Sequence, residues 1–500
     1  MNVRHHDQAE VVVIGAGIGG LCAAIRAASA GHDVAVFEAG DGPGGKAGIA
    51  THDGVRFDTG PSVLTLPGVF DEVLLHAGLR LADVVTLVEP EPAFRYLWAD
   101  GARFDVHTDL DATIDSAAGA FGDDAAAQLR RFLDHARGIW DAAAPAFVFG
   151  EAPTAGRVLR MGPRAIRDLM RIDAMRSMQR AIEAFVTEPH LRDVLARYAT
   201  YNGSDPRVAP ATLNCIAWVE LGLGGFGVRG GLYALVEALE SVAKSLGVRF
   251  VYGRPVERIL TDADGVAAIE VAGRLVRTRT VIANADVAHL ADALLAEPPP
   301  AVAAPAEPSM SGWTAVARAR RRDDRAAHTV LFATPYAEEF ADIFDRGRAP
   351  RVPTVYLCAQ EKAHGASGWA DHEPVFVMAN APAEPDGGAT DPMVFAALAD
   401  ATLGRARAAG LLDADDRVVW TRTPAGLASR FPGTRGAIYG ASSNDRFAAF
   451  KRPPNRVAAV PGLYLASGSA HPGGGLPLCA SSGRVAAESA LADGVRGPVS

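Results

Sequence analysis

Residues 11–38 constrain this chain more than any other stretch. Val11-Val12-Val13-Ile14 is an unbroken β-branched run, as expected of a strand buried on both faces of a parallel sheet. Gly15-Ala16-Gly17-Ile18-Gly19-Gly20 follows directly, Leu21 to Ser29 reads as a helix, and a second buried strand, Val34-Ala35-Val36-Phe37, ends at Glu38. Each part has a physical task. Gly15 permits a tight turn, Gly17 lets backbone approach a pyrophosphate, and Gly20 lets helix and strand pack closely. The helix start offers free N–H groups and a positive dipole end to phosphates. Glu38, eighteen residues beyond Gly20, is placed to accept a hydrogen bond from a ribose 2′-OH. Glycine spacing alone is weak, because such turns are common. With both strands, the helix and the terminal acid in place, dinucleotide binding is the better reading.

At 500 residues the chain exceeds one ordinary domain. Its 49% hydrophobic and 21% charged residues suit a folded globular protein and exclude disorder or a collagen-like repeat. Forty-nine Lys and Arg against fifty-eight Asp and Glu gives 49 − 58 = −9, which argues against nucleic acid as a partner. Cys22, Cys215, Cys358 and Cys479 lie far apart without metal-ligand spacing, so they read as reduced, buried thiols of a cytoplasmic protein, a distant disulfide remaining open. The polar opening MNVRHHDQAE predicts no secretory signal. The apolar run Val11 to Ile25 holds four glycines and falls short of the roughly 20 residues that span a bilayer. The expected protein is soluble or sits on a membrane surface, and no motif fixes its oligomeric state.

A second glycine turn, Gly42-Pro43-Gly44-Gly45-Lys46-Ala47-Gly48, begins just after Glu38. Gly45 and the basic Lys46 suit a bulky flavin dinucleotide, whose phosphates and ribityl chain run past such a loop; the bland alternative is a solvated hairpin with Lys46 exposed. Together with Phe57-Asp58-Thr59-Gly60-Pro61-Ser62, the stretch resembles the flavoprotein superfamily of amine oxidases and carotenoid desaturases.

The carboxyl end points to the same site. Gly462 to Ala466 reads as a buried strand, running through Ser467-Gly468-Ser469-Ala470-His471-Pro472-Gly473-Gly474-Gly475-Leu476-Pro477 into a helix from about Leu478 to Leu491. Pro477 suits the first turn of that helix, where its missing N–H costs nothing. The helix start, at Leu476 and Pro477, is expected to face the pyrimidine edge of an isoalloxazine ring and to favour negative charge there. His471 reads as a turn histidine bonded to backbone in preference to a catalytic one.

This last loop resembles the carotenoid desaturase family, in which a strand ending GLYL precedes an HPG-x-G-x-P loop. Gly230 to Val236, Val256 to Ile259, Val281 to Asp286, His328 to Phe332, Tyr336 to Phe344 and Pro353 to Tyr356 are similar to the same family, so the likeness covers nearly the whole length. It implies an FAD cofactor, backbone near Val256 at the adenine, and Asp286 near the cofactor. Related flavoproteins often carry an acid in the final strand-loop; here Gly468 stands near that place.

The implied fold is α/β: a Rossmann-type FAD-binding domain of the glutathione-reductase and amine-oxidase kind, an inserted mixed-sheet substrate domain, and a helical lid or membrane-contact region. Residues 10–70, 228–296 and 455–496 would form the discontinuous FAD-binding domain. Residues 71–140 and 297–454 would form the substrate domain, with strands such as Arg103 to Val106 and Val375 to Met378, and 141–227 the helical region. The Pro-rich run 297–308 reads as a linker. Residues 157–185 read as a basic amphipathic helix, with Arg164, Arg167 and Arg171 on one face and Ile166, Leu169 and Met170 on the other. Such a helix either lies in an anionic headgroup layer or packs its apolar face on the core. The first choice places the protein in the cytoplasm, peripheral on the inner face of the cell membrane. Arg318, Arg320, Arg321, Arg322 and Arg325, interleaved with acids, read as a solvated strand end.

No Ser-His-Asp grouping, HxxxH pair or Walker loop is present, so hydrolysis, zinc and nucleotide-triphosphate chemistry lack support. Two-electron redox chemistry remains. Desaturating a hydrocarbon beside a polyene needs hydride loss from one carbon and proton loss from its neighbour. The intervening cation spreads along the conjugated chain, so no catalytic acid or base is named. By resemblance the substrate is a hydrophobic carotenoid. The loop SGSAHPGGGLPLCASSG, with Phe431 to Gly440 before it, is closer to 1-hydroxycarotenoid 3,4-desaturases than to phytoene desaturases. A phytoene desaturase, a redox-neutral carotene isomerase and a carotenoid end-group oxidase are the alternatives.

Overall fold

A computed structural model describes residues 8–152, 171–445, 448–495 and 497. At its centre lies a five-stranded sheet in the order Leu463–Leu465, Thr280–Ala283, Val11–Ile14 (β1), Val34–Phe37 (β2), Arg249–Val251. Every neighbouring pair runs parallel. All four residues of β1 are buried, as a continuous apolar run between two parallel neighbours requires. Because the strands share one direction, their carboxyl ends meet at one edge. There Gly15, Glu38, Asn284 and Ala466 come together from distant parts of the chain.

The helix after β1, Ile18–Ala28 (α1), starts three residues earlier than its apolar pattern suggests, inside the glycine run. It packs against the C-terminal helix Leu476–Ala492, backbone on backbone. A Cβ on Gly483 would lie 2.1 Å from the Gly19 carbonyl oxygen, and one on Gly19 would lie 1.9 Å from that of Ala466. Glycine is the residue that fits at either place.

The second large sheet has seven strands, in the order Arg417–Arg422, Ser311–Arg320, His372–Ala381, Val355–Ala359, His328–Leu331, Phe94–Leu97, Arg103–Val106. It is mixed, with His328–Leu331 and Phe94–Leu97 as the parallel pair. Thr314, Met378, Tyr356 and Val330 stand in register across four adjacent strands. At about 4.8 Å per strand that row spans roughly 14 Å. Helices Asp123–Ala143, Met178–Phe185, Pro189–Arg197 and Cys215–Leu221 share a core cluster with this sheet.

Two expectations change. The stretch 157–185 is not one helix: the chain turns at Ile172–Met175, Asp173 adopts φ +52°, and a separate helix Met178–Phe185 starts from a Ser177 cap. Met178 is buried and Met175 is 76% exposed, so the two do not share one apolar face. Arg164, Arg167, Ile166, Leu169 and Met170 lie outside the described residues. The arginine run at 318–325 is not wholly solvated either, because Arg325 is buried in an ion pair with Glu373. The four cysteines are unbonded, Cys22 and Cys358 buried, Cys215 and Cys479 half-buried. Among the described residues no helix is long and apolar enough to cross a membrane.

Candidate active site

A single cavity of about 1410 Å³ runs from the carboxyl edge of the parallel sheet to the face of the seven-stranded sheet. Small-molecule sites usually enclose roughly 300–1,000 Å³, so there is room here for more than one ligand. Of the eleven residues singled out for a cofactor, ten line it: Gly15, Gly17, Glu38, Gly45, Lys46, Val256, Asp286, Gly468, Leu476 and Pro477. Gly20 does not. A Cβ there would sit 2.0 Å from the Gly15 carbonyl oxygen, so Gly20 serves the close packing of helix on strand.

Glu38 is held before any ligand arrives. Its carboxylate accepts hydrogen bonds from the Ala16 amide at 2.6 Å and the Gly40 amide at 2.7 Å, which fixes it at the end of β2 with lone pairs to spare. Gly44 donates to the Ala16 carbonyl at 2.9 Å, and a Cβ on Gly45 would be 3.5 Å from the Gly17 Cα, so the two glycine turns form one cradle. Gly17 is the N-cap of α1 and supplies no side chain to its free amides. Gly475, at φ +106°, likewise leaves the start of the C-terminal helix uncapped. Both uncapped helix starts border the cavity. Thr59 lines it too, with a buried hydroxyl that has no partner among the described residues. A glycine cradle, two open helix N-termini, an anchored acid and an orphan hydroxyl fit a dinucleotide with a ring system at its far end.

Lys46 is not exposed, and its ammonium is engaged within the chain. Its ammonium donates to the carbonyls of Ala437 at 3.0 Å and Ile438 at 2.8 Å, tying the second glycine turn to the Phe431–Gly440 loop. Burial lowers its pKa, opposed by nearby Asp286. Asp286 caps the short helix after Thr280–Ala283, accepting from the Ala288 amide at 3.0 Å. The residue of that loop that reaches across is Asn284. Its side-chain amide donates to the Ala466 carbonyl at 2.6 Å and its backbone amide to Ile14 at 2.7 Å, bridging three strands. It sits directly after a buried strand in an α/β sheet, a position that could have marked it. His471 is a turn residue: its ring Nε2 is 3.1 Å from the Gly150 carbonyl and its amide donates to Pro453.

Asp58 ties two separate motifs, 57–62 and 230–236, to Gln360 of the helix that follows Val355–Ala359. Its buried carboxylate accepts from the amides of Leu232 at 2.6 Å and Tyr233 at 3.0 Å, capping the helix Tyr233–Ser245. Its backbone pairs both ways with the Gln360 side chain at 2.9 Å. Burial pushes its pKa up to about 6, partly offset by those two amides.

The other end of the cavity is apolar with isolated polar points. Ile216, Val219, Val330, Phe376 and Met378 line it. Arg197 is buried among Phe94, Tyr96, Tyr201 and Tyr356, with ring centroids 5.1–5.9 Å from its guanidinium, and Glu220 lies 4.0 Å away. Glu220 accepts hydrogen bonds from Tyr198 and Tyr201. His328 bonds to the Tyr356 hydroxyl at 2.8 Å; burial drives its pKa well below the usual histidine range and keeps it neutral. Tyr336 is 5% exposed, lines the cavity, and has a hydroxyl without a partner among the described residues. Beside it in the chain, Glu339 accepts from the amide of Thr354 at 2.8 Å and from the Asn380 side chain at 2.8 Å. Thr354 and Asn380 both line the cavity. None of these long-range polar pairs has a local sequence signal.

Residues 18–357 match the model of the family described as flavin containing amine oxidoreductase. The chain is 35% identical over 490 residues to a hydroxyneurosporene desaturase of Rubrivivax gelatinosus, covering 96% of this chain and 93% of that one. It is 30% identical over 493 residues to a 1-hydroxycarotenoid 3,4-desaturase of a Flavobacterium species, covering 96% and 98%. A putrescine oxidase bound to putrescine shares the fold at a TM-score of 0.62, with 16% identity over 97% of this chain and 99% of that chain. The chain therefore belongs to the flavin-containing amine oxidoreductase family and, within it, to the carotenoid desaturases, with FAD as its cofactor.

Proposed function

We propose that the protein inserts a C–C double bond at C3–C4 of an acyclic 1-hydroxycarotenoid. The observation that carries this reading is the Tyr336 hydroxyl, buried in the cavity wall without a partner among the described residues. An unpaired buried hydroxyl costs about 1–3 kcal/mol, which an alcohol end group would relieve. Two relatives are named for hydroxylated carotenoids, in keeping with that.

Gly15, Gly17, Glu38 and Gly45 would hold the dinucleotide portion of FAD, Val256 its adenine end, and Gly468, Leu476 and Pro477 its ring end. Residues 10–70, 228–296 and 455–496 would form the domain that holds it, 71–140 and 297–454 the substrate domain, and 141–227 the helical lid or membrane-contact region. When bound, FAD supplies the acceptor for two electrons and a proton. The chain's own residues do the rest. Ile216, Val219, Val330, Phe376 and Met378 exclude water and hold the polyene extended; Tyr336, with Asn380 and Thr354 nearby, orients the oxygenated end. The positive charge left on the hydrocarbon spreads along the polyene, so the neighbouring proton leaves without a strong side-chain base. His328, neutral and bonded to Tyr356, is not needed as one.

The substrate enters from a lipid surface on the inner face of the cell membrane. Ile172 and Ala174 line the cavity while Met175 beside them is 76% exposed, an arrangement suited to taking up an apolar chain there. The test is to incubate purified protein, FAD and liposomes carrying either 1-hydroxyneurosporene or phytoene, and to follow the polyene spectrum. A red shift with the hydroxylated substrate alone is expected. A shift with phytoene alone, or with neither, overturns the reading.

A further inference from the structure

Arg452 is a buried cation with no counter-charge among the described residues. It is 7% exposed and lines the cavity. Its guanidinium reaches the carbonyls of Tyr439 at 3.4 Å, Gly468 at 3.5 Å and Ala441 at 3.1 Å, and the Asn202 side-chain oxygen at 3.4 Å. All four acceptors are neutral. No carboxylate among the described residues lies within 4.0 Å of it, whereas Arg197, the other buried arginine among them, and Arg325, whose side chain is mostly covered, each have a glutamate. Acids are not scarce in a chain with 58 of them. The titratable group that faces it, Cys479, is a neutral thiol, its pKa pushed up to about 11 by burial. Burial brings the guanidinium itself down only to about 10, so it is charged at neutral pH.

Burying an uncompensated charge costs several kcal/mol, and folds avoid it unless a partner arrives. The position says which partner. A Cβ on Gly473 would lie 3.4 Å from the Arg452 Cζ, and Gly473–Gly475 leads straight into the open start of the C-terminal helix. The Gly468 carbonyl, on the loop that ends the last strand of the parallel sheet, accepts from Arg452. A cation thus stands on the loop that borders the ring end of the cofactor site.

We infer that Arg452 is the counter-charge for the FAD ring system, compensating the negative charge that the ring gains when it accepts a hydride. Hydride transfer breaks one substrate C–H bond and moves its electron pair and proton to the ring, which gains one negative charge; the substrate's positive charge is discharged as its neighbouring carbon loses a proton, which ends in bulk solvent. The neutral acceptors around Arg452 hold it in place without spending its charge. The inference rests on the ring lying against the C-terminal helix as proposed above, and not on which carotenoid is the substrate.

The test therefore uses holoenzyme without carotenoid. Arg452→Gln and Arg452→Lys are compared with the parent for retained FAD, reduction midpoint, and affinity for sulfite, which adds to flavin rings as an anion. Arg452→Gln should bind sulfite at least tenfold more weakly and fall in midpoint by about 30 mV for each tenfold loss, the two-electron constant. Arg452→Lys should restore most of both. Unchanged sulfite affinity and midpoint in Arg452→Gln overturns the inference. Loss of FAD with an unchanged midpoint in the fraction retained also overturns it, in favour of a pyrophosphate contact. Should the Gln variant not fold, the parent alone decides. With the ring held anionic, its midpoint falls by about 30 mV per pH unit between pH 6 and 8, and a slope twice as steep overturns the inference.

Discussion

The two sheets of this molecule solve different problems. The five-stranded parallel sheet positions backbone, and its demands fall on glycines: Gly15 at φ +92°, Gly19 within 1.9 Å of a carbonyl were it to carry a Cβ, Gly20 within 2.0 Å. The seven-stranded sheet positions side chains, and its polar groups find partners far along the chain. Tyr96 meets Arg197, and Asn380 meets Glu339. The first kind of site fails sterically when altered. The second loses one interaction at a time and stays folded.

That contrast is sharpest at Gly19. Gly19→Ala should cost more than about 3 kcal/mol and release FAD, because the new Cβ would meet both the Ala466 carbonyl and the Asn284 amide. Thermal unfolding together with flavin absorbance checks it; a yellow, fully stable variant would break the distinction between the sheets. Asp58→Ala, which strips two helix-start amides of their acceptor where the sheets join, should cost about 2–3 kcal/mol, with Asp58→Asn milder. Asp58 also sets a pH dependence. Its folded pKa of about 6 lies above the ordinary 3.8, so its contribution is full below about pH 4 and is lost as pH rises through 6. Denaturant titrations should show that loss in the parent and a flatter profile in Asp58→Asn.

On the side-chain sheet, Tyr336→Phe should leave the unfolding midpoint unchanged or slightly raised. It should lower kcat/KM about tenfold for a hydroxylated carotenoid and leave a non-hydroxylated one unaffected, as one hydrogen bond of about 1–1.5 kcal/mol implies. Equal losses on both substrates would show a packing role. The smallest effect belongs to the proposed lipid contact. Arg171→Gln should weaken sedimentation with anionic liposomes about fivefold, near 1 kcal/mol for one charge at the surface. Unchanged binding would remove Arg171 from that contact.

The glycine turns, both flanking strands, Glu38 and the closing HPGGGLP loop were legible because each is a local backbone requirement written in consecutive residues. Reading 157–185 as one helix failed for a related reason. Periodicity describes a helix that continues, but Asp173 turns the chain and Ser177 caps a new start. Lys46 was placed at the cofactor by its neighbours in sequence, yet its ammonium is taken by carbonyls nearly four hundred residues away.

The sequence by itself therefore determined the dinucleotide turn, the FAD family and the order of its pieces, since steric limits on a few adjacent residues leave few alternatives. Only the tertiary structure decided that Asn284 bridges the strands, that Asp58 ties two motifs to Gln360, and that Arg452 is buried with no counter-charge among the described residues. Burial and hydrogen-bond pairing depend on what the folded chain brings alongside, and no neighbour in the sequence carries that information.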